Sequence, residues 1–167
     1  MAKTKSMTKA NKIKLNKIAQ VLQTFAANNT ANAAAVGSVV IPITDIYTVG
    51  NSGNQVIFNL IFGTKGVGAL TDAVLNNVSP PDKIIVTGGK DSLLKIPLGT
   101  DKDLNGTILK IKSVVTATNF TPVPAALDVK FSLTGGQVTK NFPLPPGEFT
   151  NVGDTFIIDF TIIIFQA

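Results

Sequence analysis

The segment Asp101-Lys102-Asp103-Leu104-Asn105-Gly106 comes nearest to a ligand set. In a calcium loop, oxygen-bearing side chains at alternate positions converge on one point, and a glycine permits the sharp bend. Asp101, Asp103 and Asn105 are therefore the candidate metal ligands, and calcium is the only cofactor the spacing suggests. The second half of the loop departs from the pattern, because Lys112 stands where a bidentate glutamate belongs. A strand-entry turn with solvated aspartates explains the same residues, and on balance no cofactor is expected. Thr87-Gly88-Gly89-Lys90-Asp91-Ser92 resembles a phosphate-cradling loop only superficially. It lacks the glycine spacing before Lys-Ser, and no helical pattern follows. Leu133-Thr134-Gly135-Gly136 echoes it, so both are read as turns.

A second candidate chemistry is electrostatic. Lys3, Lys5, Lys9, Lys12, Lys14 and Lys17 all precede the first acid, Asp45. The remaining nine lysines face ten acids, so the body sums to 9 − 10 = −1 and the chain's +5 resides in a basic N-terminal arm. Six lysines of this kind neutralise phosphates in a sequence-independent, salt-sensitive way, which makes nucleic acid a candidate partner. No aromatic residues interleave with them, so base stacking on a single strand is not indicated. An anionic membrane surface is a weaker candidate, because the apolar stripe beside the lysines is modest and lacks Trp. A solvated helix face is the plain explanation of the same lysines.

What the chain lacks limits its chemistry further. It has no Cys, His, Trp or Arg, and Glu148 is its one glutamate. The usual general base near neutral pH, the most reactive nucleophile and the bidentate clamp for carboxylate and phosphate are thus missing. An enzyme is not expected, nor a small-molecule substrate. Charged residues make up 15% of the chain against 44% hydrophobic, and little repulsion then opposes the burial of a surface patch. An AT-rich genome would give the same bias toward Lys, Asn and Ile.

The elements that carry these residues fall into two parts. Residues 1–37 form a basic arm with an amphipathic helix over 8–27, followed by an Ala/Gly connector. Leu15, Ile18, Leu22 and Phe25 make its apolar stripe at 3-4-3 spacing. A cleaved secretion signal is not expected, since Gln20, Gln23 and Thr24 interrupt the would-be apolar core. The expected route is cytoplasmic synthesis followed by assembly into a particle, or non-classical export.

Residues 38–167 switch to a period of two. Strands are expected at 38–48, 54–63, 82–88, 92–98, 106–118, 126–134, 137–144 and 154–166. Gly50-Asn51-Ser52-Gly53, Gly88-Gly89 and Gly135-Gly136 are hairpin-sized gaps between apolar runs. Residues 64–79 stay unassigned, with a helical turn at Leu70–Leu75 as one option. The expected fold is all-β: a two-sheet β-sandwich of about eight strands, jelly-roll or immunoglobulin-like, preceded by one amphipathic helix.

Two strands look built for contact. The last one sets Phe156, Ile158, Phe160, Ile162 and Ile164 on one face. Its other face still carries Ile157, Ile163 and Phe165. A central strand covered by its own chain accounts for this, and so does a strand covered by another subunit. Residues 38–48, with Val39, Ile41 and Ile43, either dock on their own body or cross to a neighbour. The function expected is a non-catalytic structural subunit that assembles with copies of itself, as a filament, appendage or virion component. The helix stripe and both terminal strands supply its contacts. A nucleic-acid-packaging coat protein and a monomeric binding module are the alternatives.

Overall fold

The structure is a computed structural model that describes residues 38–76, 82–119 and 125–166. The chain divides into two units, Met1–Val36 and Gly37–Ala167, and all described residues belong to the second. The expected helix at 8–27 and the lysine arm lie outside the described residues. Those described are all-β, with strands and no helix.

Eleven strands form: β1 (Ser38–Val49), β2 (Gln55–Phe62), β3 (Val67–Asn76), β4 (Lys83–Lys90), β5 (Leu93–Thr100), β6 (Ile108–Ala117), β7 (Ala125–Ala126), β8 (Val129–Thr134), β9 (Lys140–Phe142), β10 (Glu148–Phe149) and β11 (Thr155–Gln166). A five-stranded sheet has the order β1-β11-β6-β3-β4, a four-stranded sheet the order β5-β2-β8-β9, and β10 pairs with β7. The inner faces of the two large sheets share one apolar core. Phe131 of β8 ties them together. Its ring centroid lies 4.6 Å from that of Phe160 on β11, 4.7 Å from Phe142 on β9 and 6.3 Å from Phe58 on β2. Tilted, stacked and edge-on ring pairs of this kind add to the stabilisation that burial alone supplies.

The composition of β11 follows from its place. It lies between β1, which runs parallel to it, and β6, which runs antiparallel. A strand buried on both faces reads as a nearly continuous apolar run, and β11 is buried at every position from Phe160 to Ile164. The edge strands read differently. Pro42 lies in β1 and Pro97 in β5, the outermost strands of their sheets, where a missing N–H costs the ladder least.

Several expectations need correction. The unassigned stretch contains β3, with no helical turn at Leu70–Leu75. Its burial alternates through Ala69, Thr71, Ala73 and Leu75, all buried. The sequence hides this because small residues and a threonine occupy the inner positions. Thr71 and Ser113 on β6 satisfy each other there, hydroxyl to hydroxyl at 2.9 Å. Gly88-Gly89 lies inside β4, and the chain turns at Asp91-Ser92 to cross from one sheet to the other. Residues 50–54 likewise join strands of different sheets. Gly135-Gly136 does turn a hairpin, β8 to β9. The expected strand 126–134 is broken into β7 and β8, and strand 137–144 shortens to β9.

Candidate interaction surface

The two sheets present different outer faces. On the four-stranded sheet, Asn59, Ser132 and Asn141 form one cross-strand row, and Ile57 opposes Thr134. This face is mostly polar, and among the described residues the exposed large apolar side chains of its strands are Ile61 on β2 and Leu94 on the edge strand β5. On the five-stranded sheet, Val40, Ile157, Val114 and Leu70 form an apolar row across β1, β11, β6 and β3. A second row joins Ile46, Ile163 and Ile108. Leu70 is 52% exposed, Ile46 51% and Ile84, which opposes Val74, 69%. A shallow depression beside Leu70 is lined by Val114, Thr116, Gly68, Lys90 and Asp91.

Between the apolar rows runs a charged one: Pro42, Asp159, Lys112 and Asp72. Burial among its neighbours raises the pKa of Asp159 above the ordinary carboxylate value, against the pull of Lys112 and Lys110. Asp72 accepts a hydrogen bond from the Gly88 N–H at 2.7 Å. The face thus combines aliphatic side chains with a narrow central band of both charges. Such a face buries area against a partner without a large electrostatic penalty.

The residues expected to make contacts divide between two environments. Ile157, Ile163 and Phe165 lie on this outer face: Ile157 half-buried, Ile163 buried and Phe165 39% exposed. Ile41 is buried in the core and Ile43 packs against it. Val39, at the strand's start, is 52% exposed and lines a depression with Glu148, Thr150 and Asp154. Leu15, Ile18, Leu22 and Phe25 fall outside the described residues, as do the six lysines of the arm.

Each candidate calcium ligand engages a different partner. Asp101 is buried, and its carboxylate accepts from the Ser52 N–H at 3.0 Å, the Ser52 hydroxyl at 2.7 Å and the Gly53 N–H at 2.7 Å. The Ser52 hydroxyl and these backbone donors hold its pKa below the ordinary value. Asp103 accepts from the Thr100 hydroxyl at 2.6 Å. Asn105 exchanges bonds with Gln166, accepting from its N–H at 3.0 Å. Among the described residues no three His, Cys, Asp or Glu side chains group as metal ligands.

Sequence reasoning missed the anchoring of β1. Tyr47 is fully buried, and its hydroxyl accepts from the Gly136 N–H at 2.7 Å. Gln137 N–H donates to Thr48 O at 3.1 Å. Lys140 Nζ donates to Asp45 Oδ1 at 2.6 Å and to Ile46 O at 2.8 Å. A Cβ on Gly136 would lie 2.6 Å from Thr48 O and 2.7 Å from the Tyr47 hydroxyl, so only glycine admits this approach. The doubled glycine and the lone tyrosine were the available signals. Asp101 reaching back 49 residues to Ser52 had no sequence signal at all. No family model matches the chain, and neither does any curated protein or solved structure.

Proposed function

We propose that this protein is a non-catalytic structural subunit, a β-sandwich that assembles with copies of itself through the outer face of its five-stranded sheet. The observation that carries this is the asymmetry of the two outer faces. One is mostly polar, with Ile61 and the edge residue Leu94 exposed, and the other carries apolar rows across four strands and exposes Ile46, Leu70 and Ile84 around a band of balanced charge. Low overall charge supports the same reading, because little repulsion opposes close approach of copies. The absence of His, Cys and Arg from the sequence supports a role without catalysis.

Negative-stain microscopy with light scattering on the purified full chain tests it. Regular particles or fibres are the expected result, and their shape separates a shell from a filament. A 17.5 kDa monomer at high concentration overturns the proposal in favour of a partner-dependent binding module. The charge asymmetry favours one second reading, a coat protein that packages nucleic acid with its lysine arm. Deleting residues 1–17 then abolishes salt-sensitive nucleic-acid retention, whereas a plain structural subunit assembles as before.

A further inference from the structure

We propose that β1 is an exchangeable strand, able to leave β11 of its own chain and occupy the same position on β11 of a second copy. The proposal rests on the self-association described above and names the element that passes between copies.

Four features carry it. First, among the described residues β1 is the outermost strand of its sheet, and its one ladder there runs in parallel to β11, from Ser38 opposite Thr155 to Val49 opposite Gln166. No hairpin enforces this pairing, because the next strand, β2, belongs to the other sheet. The cis and trans ladders are therefore chemically identical and differ only in effective concentration.

Second, β1 joins the body through residues 50–54, among which Gly53 has a φ of +83° and residues 51–54 are exposed. No apolar packing holds this connection. Its turn is held instead by the three hydrogen bonds to Asp101 and by Asp101 N–H donating to Asn54 O at 2.8 Å. Five residues, once extended, reach roughly 17 Å, long enough to carry the strand away from its own sheet.

Third, β1 supplies Ile41, Tyr47 and Val49 to the core, all nearly inaccessible to solvent. Its place cannot stand empty, since removal would expose Ile158, Phe160 and Ile162 of β11. The occupant must reproduce the Tyr47 contact with Gly136 and the Lys140 contact with Asp45. Only the identical strand of another copy does both, which fixes a second copy of this chain as the partner.

Fourth, prolines interrupt the edge strands β1 and β5, and β4 pairs irregularly with β3, with register shifts on either side of Ala73. Simple addition of a strand to these edges is hindered. Replacement of β1 remains open, because the site it fills already has the right ladder. The cis form benefits from an effective concentration on the order of millimolar. Exchange therefore accompanies assembly, when outer-face packing raises the local concentration to match.

The chain has no cysteine, so engineered thiols report cleanly. Thr44 and Thr161 are directly opposed across β1 and β11. Neighbouring strands lie about 4.8 Å apart, within disulfide reach. Thr44→Cys and Thr161→Cys are made in separate full-length chains, mixed in denaturant, refolded to assembly and oxidised. The expected product is a covalent pair at twice the 17.5 kDa chain mass, with a 44–161 linkage mapped by mass spectrometry. Assembled particles without that linkage overturn exchange while leaving self-association intact. Monomers that never assemble overturn both. Thr48→Cys with Phe165→Cys, opposed near the strand's other end, repeats the test should the first pair fail to fold.

Discussion

Replacing Tyr47 with phenylalanine isolates one bond in the anchoring of β1. The ring is fully buried and the substitution leaves its volume in place, so no cavity opens. What is lost is the acceptor for the Gly136 N–H, 2.7 Å away. Gly136 is half-buried, and a donor left without a partner in such a place costs about 1–2 kcal/mol. An unfolding entropy near 2.1 cal/mol/K per residue makes 1 kcal/mol worth roughly 4 °C for a domain of about 130 residues. Tyr47→Phe is therefore expected to lower Tm by about 4–8 °C with an unchanged denaturant m-value, measured by calorimetry and chemical denaturation at concentrations below assembly. Tyr47→Ala, which also empties the ring's space, is expected to cost about 3–5 kcal/mol. Burial raises the Tyr47 pKa, opposed by the Gly136 N–H. That contribution is present below the unfolded value near 10.0 and is lost as pH rises through the raised folded value. Tyr47→Phe should accordingly flatten the alkaline loss of stability. A Tm shift under about 1 °C would show that water, not Tyr47, satisfies Gly136, and would refute the anchoring argument.

Leu70→Lys and Ile84→Lys are expected to weaken self-association at least tenfold by light scattering while changing stability by only about 0.5 kcal/mol, since both side chains are exposed. Thr134→Lys, on the polar outer face, should leave assembly unchanged. Ser113→Ala strands the Thr71 hydroxyl in the core and should cost about 1–3 kcal/mol, whereas Thr71→Val with Ser113→Ala should come close to neutral. A double-mutant cycle without coupling would show the hydroxyls are not each other's partners. Asp159 titrates above its ordinary value in the fold, so its contribution is present at low pH and lost as pH rises through the folded value. Asp159→Asn is therefore expected to stabilise more at pH 7 than at pH 3, and equal gains at both would refute its half-buried setting.

The sequence by itself determined what rests on local periodicity and on residue type. Alternation in β8 and β11 declared an all-β body, because a period of two places every second side chain on one face. The absence of His, Cys and Arg is likewise a property of the chain before it folds. The apolar outer positions of β11, Ile157, Ile163 and Phe165, were visible because they break that alternation. Where periodicity was weak, so was legibility: β3 escaped notice because Ala69, Thr71 and Ala73 carry little hydropathy although all three are buried.

Tertiary structure alone decided who lies beside whom. The parallel ladder of β1 on β11 joins residues about as far apart as the described chain allows. No local preference encodes a pairing that depends on the whole path between its ends. The same holds for Asp101, whose spacing with Asp103 and Asn105 suggested a cation. The fold directs its carboxylate to Ser52 and Gly53, 49 and 48 residues away, where it holds the turn that follows β1. The apolar rows on the five-stranded sheet are also a product of register: Val40, Ile157, Val114 and Leu70 sit on four separate strands and become one surface only when those strands align.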